Sequence, residues 1–185
     1  MALRYLIVPG WGDSGAAHWQ TRLQADLDCD RVQMTDWQSR RRADWVDAVE
    51  RAITRVVSAT GDAPVAIAHS LGCTAVAHVA ARGHVPLAAA LRVAPPDLDR
   101  DGCPDELRDL APVPRAKLAC PATVVASDDD PYAELAAARA LADAWGALFV
   151  PLHAAGHINT ASGHGEWPLG RVLAQQLAAL ARAAA

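Results

Sequence analysis

Short apolar segments alternate with longer helical segments along this chain, and that alternation constrains the fold more than any single motif does. Each short segment is bounded by turn-forming residues, as where Leu3–Val8 is followed by Pro9-Gly10. The segments predicted as strands are Leu3–Val8, Arg31–Met34, Pro64–His69, Ala88–Val93, Ala122–Ala126 and Leu148–Leu152. Strands that alternate with helices predict a parallel sheet covered on both faces, and right-handed crossovers favour the doubly wound arrangement.

The helical segments carry apolar residues at the spacing of an α-helix. Ala43–Ser58 repeats Trp45, Val49 and Ile53 on one face, which predicts an amphipathic helix. The other predicted helices are Ala16–Asp26, Leu71–Arg82, Tyr132–Trp145 and a closing helix from Pro168. The proline-bearing segment Asp97–Lys117 is expected to be a long loop with one short helix, and it is the only candidate lid because no cap domain fits between the strands. We expect residues 1–185 to form one domain.

Charge and cysteine content exclude several classes of protein. The formal net charge is −4, and the one basic run, Arg40-Arg41-Arg42, is too short to outline a nucleic-acid surface. No stretch approaches the roughly 18 uninterrupted apolar residues of a membrane span, and the first apolar run ends too early for a signal peptide. The four cysteines are scattered singly, unlike a disulfide framework. We therefore expect a soluble, reduced, cytoplasmic protein without a nucleic-acid or membrane partner.

A turn between a predicted strand and a predicted helix presents one serine as a candidate nucleophile. Ala68-His69-Ser70-Leu71-Gly72 matches the G-x-S-x-G elbow, except that Ala68 replaces the first glycine. Small residues two positions before and after the serine let the sharp turn form without clashes. The start of the helix favours an oxyanion at this point, with the backbone N–H of Leu71 as one donor. The alternative is that Ser70 is an ordinary helix N-cap.

A candidate acid and a candidate base follow in the chain order that such a serine requires. Asp128, Asp129 and Asp130 come after one predicted strand, and His157 comes after the last one. The histidine would take the serine proton, and a carboxylate would fix the tautomer of that histidine and stabilise its cation. Asp130 is favoured because Pro131 fixes the backbone beside it. Asp128 or Asp129 would then cap the following helix, although both stay open as the acid.

Other placements of the acid and the base have weaker support. Asp97, after an earlier strand, is a further candidate acid. His153 and His157 have the four-residue spacing that binds metal on a helix. However, Ala154 stands where a zinc-protease helix carries glutamate, and Gly156 favours a loop. We therefore expect no metal site and no cofactor.

The loop after the first strand, Pro9–Gly15, is rich in glycine and predicts the second oxyanion donor. Glycines let the backbone approach a substrate closely, and the N–H of Trp11, directly after Gly10, is the preferred candidate. An ordinary glycine-rich turn is the alternative. A phosphate-binding loop is disfavoured, because no Gly-Lys-Ser or Gly-Lys-Thr follows.

Five motifs spread along the chain are Val8–Ser14, Ala68–Gly72, Val93–Pro96, Ser127–Tyr132 and Gly156–Asn159. Together they resemble the YdeN / retinoblastoma-binding-protein-9 group of α/β-hydrolases, over essentially the whole chain. The resemblance implies a minimal α/β-hydrolase fold without the first two strands of larger relatives, with six parallel strands in the order 2-1-3-4-5-6. It also implies a triad of Ser70, Asp130 and His157, in which the acid is the aspartate directly before proline.

The predicted function is that of a serine hydrolase that cleaves a small ester or an activated acyl compound through an acyl-Ser70 intermediate. One alternative is amide or peptide hydrolysis by the same triad. Another is a non-catalytic protein-interaction module with a hydrolase-like pocket. The expected pocket residues are Trp11, His18, Trp37 and Trp167, whereas Trp19, Trp45, Trp145 and the elbow residue His69 are expected to be packed in the interior.

Overall fold

Six parallel strands form one sheet in the computed structural model, which describes residues 3–27 and 29–184. The strands are β1 Tyr5–Val8, β2 Asp30–Arg31, β3 Val65–His69, β4 Ala89–Val93, β5 Ala122–Ser127 and β6 Leu148–Leu152. Their order across the sheet is β2-β1-β3-β4-β5-β6, so the predicted fold class and strand order are confirmed. Residues 1, 2, 28 and 185, which the expected domain includes, lie outside the described residues.

Helices cover both faces of the sheet. They are α1 Trp19–Leu27, α2 Arg42–Thr60, α3 Leu71–Arg82, α4 Leu135–Trp145 and α5 Pro168–Ala184. Buried side chains of α2, α3 and α4 pack in one hydrophobic cluster, and those of α1 and α5 pack in a second cluster on the opposite face. The predicted interior positions of Trp19, Trp45 and Trp145 are confirmed, since each is at most 2% exposed.

The central strand β3 is buried on both faces, as expected for a strand inside a parallel sheet. Ala66 and Ala68 belong to the cluster under α2 and α3, whereas Val65 and Ile67 belong to the cluster under α1 and α5. Neither face of the strand is therefore free to bind a ligand. In such a sheet, ligands bind beyond the carboxyl ends of the strands, where the loops bring polar side chains together.

Three predicted element boundaries are wrong, and in each case the backbone next to the boundary makes hydrogen bonds outside the predicted element. The strand expected at 31–34 is Asp30–Arg31 only, since the backbone beyond it turns away and the carbonyl of Trp37 accepts from the N–H of Gly12 at 3.1 Å. Helix α1 begins at Trp19 rather than Ala16, after a turn closed by a bond between the Gly15 carbonyl and the His18 N–H. Helix α4 begins at Leu135 rather than Tyr132, because the Tyr132 N–H bonds to the Asp130 carboxylate.

The long segment between β4 and β5 contains a short 3₁₀ helix, Asp105–Leu110, and otherwise irregular backbone. Its contacts join it to the rest of the fold: the Asp109 carboxylate accepts from the Arg42 N–H at 2.7 Å, and Leu110 is fully buried. The segment lies against the start of α2 and forms no cap domain. Among the described helices, none has both the length and the apolar content that a membrane crossing requires.

An arginine lies in the interior of the sheet without a carboxylate beside it. Arg92, in the middle of β4, is fully buried, and its guanidinium nitrogens have no hydrogen-bond partner within residues 3–27 and 29–184. The centre of the guanidinium lies 4.0 Å from the ring centroid of Trp145. Burial lowers the pKa of Arg92 to about 10. A charge held in this way costs folding free energy that the cation–π contact offsets only in part.

The substitution Arg92→Met is therefore expected to raise the free energy of unfolding by about 1 kcal/mol or more, because a similar volume is filled without a desolvated charge. Urea unfolding at neutral pH measures the change. Arg139→Met is the matched control, since the Arg139 guanidinium also covers an aromatic ring, that of Phe149, but on an exposed residue. A larger loss of stability for Arg92→Met than for Arg139→Met would contradict the argument.

Candidate active site

Ser70 occupies the turn between β3 and α3 in a strained backbone conformation. Its φ is 52° and its ψ is −127°, a region that residues with a side chain rarely adopt. The turn is held by a hydrogen bond from the Ser70 N–H to the Val93 carbonyl at 3.0 Å. Although Ser70 stands at the N-cap position of α3, its side chain makes no capping hydrogen bond, so the hydroxyl is available for another partner.

The small residues around Ser70 are required by close packing at the start of α3. A Cβ atom on Gly72 would lie 2.4 Å from the carbonyl oxygen of Val8 and 2.6 Å from that of Pro9. Ala68 is completely buried, so a larger side chain there has no room. The helix that begins beside Ser70 is therefore held directly against the end of β1, where the glycine-rich loop starts.

The hydroxyl of Ser70 bonds to a histidine that in turn bonds to a buried carboxylate. Ser70 Oγ lies 2.9 Å from His157 Nε2, and His157 Nδ1 lies 2.9 and 3.0 Å from the two carboxylate oxygens of Asp130. The Asp130 side chain is 2% exposed and the His157 side chain 9%. Because a carboxylate only accepts, His157 donates from Nδ1 and presents the lone pair of Nε2 to the serine.

The two other aspartates of the run hold the backbone of the loop that carries His157. Asp128 accepts from the Ala154 N–H at 2.9 Å, and Asp129 accepts from the Gly156 N–H at 2.7 Å. The bond from Ala154, with one from His153, lowers the pKa of Asp128, while bonds from Ser127 and Gly156 lower that of Asp129. The expectation that Asp128 or Asp129 caps the next helix is therefore wrong, because both carboxylates are engaged across the sheet edge.

Further hydrogen bonds fix the loop on its other side. The indole N–H of Trp19 donates to the carbonyl of Ile158 at 2.8 Å, and Ile158 itself is fully buried. His69 Nε2 lies 2.9 Å from the carbonyl oxygen of His157, so the imidazole next to the serine also orients the histidine opposite it. His157 therefore approaches Ser70 on a backbone fixed by groups from α1, from β3 and from the loop after β5.

The glycine-rich loop passes close to Ser70. A Cβ on Gly10 would lie 2.7 Å from Ser70 Cβ and 3.3 Å from Ser70 Oγ. The backbone N–H groups of Trp11 and Leu71 donate no hydrogen bond to any residue that the structure describes, and both residues line the cavity at Ser70. The two N–H groups that the sequence predicted as oxyanion donors therefore have no hydrogen-bond acceptor among the described residues. Their role in binding an oxyanion stays a prediction.

The cavity above Ser70 has a volume of about 480 Å³ and mostly apolar walls. Trp11, Leu107 and Tyr132 contribute large apolar surfaces. The ring of Tyr132 meets that of His157 edge to face, with centroids 4.5 Å apart. Arg40 and Glu106 also line the cavity, and their side chains pair at 3.8 Å. The segment around the 3₁₀ helix therefore forms one wall, while its action as a lid stays a prediction.

Two of the four expected pocket residues lie elsewhere. Trp11 and His18 line the cavity, but Trp37 packs against Trp45 with ring centroids 6.0 Å apart. Trp167 packs against Trp19 at 4.9 Å and lines a separate groove between α1 and the start of α5. The expected placement of Trp37 and Trp167 in the pocket is therefore wrong. Each ring packs against a buried tryptophan and not against the loops around Ser70.

Two imidazoles beside the site are held in their neutral form. Burial, with the positive charge of Arg31, lowers the pKa of His18 to about 4. Burial also lowers the pKa of His69 well below its usual value. The two rings meet edge to face with centroids 4.9 Å apart, and His69 and His157 are also 4.9 Å apart. Neither His18 nor His69 therefore carries a charge near neutral pH.

Sequence reasoning missed several cavity residues, among them Leu107, Tyr132 and Asn159. Tyr132 directly follows the Asp130-Pro131 pair. Its closeness in sequence to the predicted acid was the signal that could have placed it at the cavity. His153, whose four-residue spacing from His157 resembles that of metal ligands on a helix, bonds to a carboxylate: its Nδ1 lies 2.6 Å from Asp128 Oδ2. Within the described parts of the chain, no group of three or more His, Cys, Asp or Glu residues could hold a metal ion.

Comparisons with known proteins agree with this geometry. A family model described as serine hydrolase matches residues 5–176. A YdeN-like hydrolase of Pectobacterium atrosepticum is 29% identical, with 97% of this chain and 91% of that chain covered at a TM-score of 0.81. The ydeN gene product of B. subtilis is 20% identical (94% and 97% covered, TM-score 0.69), and the esterase domain of a Rhodothermus marinus protein is 19% identical (97% and 88% covered, TM-score 0.66). No curated protein matches the chain significantly.

Because Gly10 lies against Ser70, a larger residue at position 10 is expected to disturb the serine. Gly10→Ala is expected to slow the reaction of Ser70 with a fluorophosphonate probe by roughly 10- to 100-fold, because the new methyl group displaces the loop or the serine by a few tenths of an ångström or more. Gly15→Ala is the matched control in the same loop, since a Cβ there meets no atom within 4 Å. Equal reactivity of the two variants would contradict the packing argument.

Proposed function

Since the chain belongs to the YdeN-like serine hydrolase family, we propose that it hydrolyses a small ester or another activated acyl compound through an acyl-Ser70 intermediate. The observation that carries this proposal is the continuous hydrogen-bonded path from Ser70 Oγ through both nitrogens of His157 to Asp130. The path supports a triad in which Ser70 is the nucleophile, His157 the base and Asp130 the acid.

The proposed reaction proceeds in two halves. Ser70 Oγ attacks the carbonyl carbon of the ester while His157 Nε2 takes the hydroxyl proton, and the N–H groups of Trp11 and Leu71 bind the resulting oxyanion. His157 then gives the proton to the departing alcohol oxygen as its bond to carbon breaks, which leaves acyl-Ser70. Water then attacks the acyl carbonyl while His157 Nε2 takes its proton, and His157 gives that proton to Ser70 Oγ as the bond between Oγ and the acyl carbon breaks. The products are a carboxylic acid and the free serine, so no cofactor is consumed.

A small ester is favoured over an amide or a peptide. The cavity of about 480 Å³ fits a short acyl or alcohol group between Trp11, Leu107 and Tyr132. An ester also releases an alcohol, which is a better leaving group than the amine that His157 would have to protonate during amide cleavage. Amide or peptide hydrolysis by the same residues is the second candidate, and a parallel assay of an ester and its matched amide separates the two.

The cysteines support the proposed cytoplasmic location. Cys73, Cys103 and Cys120 carry free thiols, and burial raises the pKa of Cys73 to about 12. Thiols of this kind persist in a reducing compartment. A small-molecule substrate is the partner that the cavity supports.

Ser70 is expected to react with a fluorophosphonate probe at the rate of an active serine hydrolase, and Ser70→Ala is expected to lose the labelling completely. Gel fluorescence or intact-protein mass measures the product. Ser58→Ala is the control, because Ser58 lies on α2, away from the cavity. An unlabelled wild-type protein would contradict catalysis and would favour the alternative of a protein-interaction module with a hydrolase-like pocket.

Among the carboxylates, Asp130→Asn is expected to lower kcat for a p-nitrophenyl ester by about three to four orders of magnitude, because the amide no longer holds the productive tautomer of His157. His157→Ala is expected to cause at least as large a loss. Asp129→Asn is the matched control, since an amide oxygen still accepts the Gly156 N–H. Thermal unfolding checks that all three variants fold. A large loss of kcat in Asp129→Asn, with kcat of Asp130→Asn close to that of the wild type, would show that Asp130 is not the acid.

A further inference from the structure

His18 caps the first turn of α1 with one ring nitrogen and leaves the other free. The N–H of Gln20 donates to His18 Nδ1 at 3.1 Å, in the arrangement of a side-chain cap on the second residue of a helix. A neutral imidazole carries its proton on the nitrogen that is not accepting. The proton of His18 is therefore on Nε2, and this nitrogen is a hydrogen-bond donor.

The surroundings of His18 keep the ring neutral and fix its position. The residue is only 7% exposed, and its pKa of about 4 reflects burial and the charge of Arg31. The ring is packed between the indole of Trp19 and the edge of His69, with centroid distances of 5.5 and 4.9 Å. A donor held this firmly loses little conformational entropy when it binds a partner.

The free nitrogen of His18 is reached from the cavity above Ser70. His18 is one of the residues that line this cavity. No described residue accepts a hydrogen bond from Nε2. Nε2 is also not among the fully buried side-chain nitrogens that lack a partner, so part of its surface is accessible. A neutral N–H donor therefore faces a cavity whose other walls are largely apolar. A ligand that displaces water without offering an acceptor would leave this donor unpaired, which is unfavourable.

We propose that His18 determines specificity by donating a hydrogen bond from Nε2 to an acceptor oxygen of the substrate other than the carbonyl oxygen under attack. The substrate class is then an ester with an ether, hydroxyl or second carbonyl oxygen a few atoms from the scissile bond, on the acyl or the alcohol side. This inference rests on the proposed hydrolysis at Ser70. It assigns His18 to substrate binding and gives it no part in proton transfer.

Pairs of substrates that differ by one oxygen test the proposal. On the acyl side, p-nitrophenyl methoxyacetate is compared with p-nitrophenyl butyrate; on the alcohol side, methoxyethyl acetate is compared with butyl acetate. Each pair has the same chain length, with an ether oxygen in place of one methylene group. The measured quantity is the ratio of kcat/KM within each pair. A variant and the wild type are assayed with the same two esters. The difference in intrinsic reactivity between these esters therefore cancels when the ratio of the variant is compared with that of the wild type.

Two variants are compared with the wild type. His18→Asn keeps an acceptor for the cap of α1, but its side chain is too short to replace the Nε2 donor. His18→Phe keeps a ring of similar shape without a donor. In at least one pair, both variants are expected to lower the preference for the oxygen-containing ester by roughly fivefold, the effect of one neutral hydrogen bond. The change is expected mainly in KM, since the contact does not alter during the chemical step. The pair that responds identifies the side of the substrate that carries the oxygen.

His84→Asn is the matched control, because the His84 side chain is 71% exposed and is not among the residues that line the cavity. Its ratios are expected to equal those of the wild type. An equal fall of kcat/KM for both esters of each pair, or unchanged ratios in both variants, would overturn the proposal. If the wild type cleaves none of the four esters and its Ser70 is not labelled by a fluorophosphonate, the proposed function itself fails, an outcome distinct from an unchanged ratio.

Discussion

The hydrogen bond between the buried Asp130 carboxylate and His157 Nδ1 is the interaction on which the rest of the site depends. It joins two loops that leave neighbouring strands, β5 and β6, at the same edge of the sheet. Ser70 leaves β3, three positions away from β6 in the strand order and thus roughly 14 Å away at the usual spacing of strands. The loop after β6 must therefore run back over the sheet, and its course determines whether His157 reaches the serine.

Three adjacent aspartates hold that loop through different hydrogen bonds. Asp128 and Asp129 accept backbone N–H groups of the loop, whereas Asp130 accepts from the imidazole itself. On the other side, Trp19 and His69 donate to the carbonyls of Ile158 and His157. The resulting site consists of a fixed histidine, a strained serine and a largely apolar cavity in which His18 and His69 stay uncharged. The hydrogen bonds of such a site connect Ser70 to Asp130 through His157.

The sequence was sufficient to predict the sheet and the loops that meet beyond it, because burial and chain order follow from local patterns. The period of the apolar segments predicted the strands, and the resemblance to the YdeN-like group implied their order across the sheet. The chain order Ser70, Asp130, His157 placed three residue types on loops at one sheet edge. The catalytic roles of these residues stay a prediction. The positions of Trp37 and Trp167 could not be predicted, because the choice between a buried tryptophan and the cavity depends on packing between distant segments. The capping role of His18 was equally hidden, since it depends on where α1 begins.

The central claim is that the Asp130–His157 pair makes Ser70 an acyl acceptor, and trapping the acyl-enzyme tests it most directly. Wild-type protein mixed with p-nitrophenyl acetate is quenched in acid within the first turnover, digested and analysed by mass spectrometry. The account predicts a burst of p-nitrophenol equal to the enzyme concentration and one acetyl group on the peptide that contains Ser70. Turnover without an acylated peptide, or an acetyl group on another residue while Ser70 stays unmodified, would contradict it.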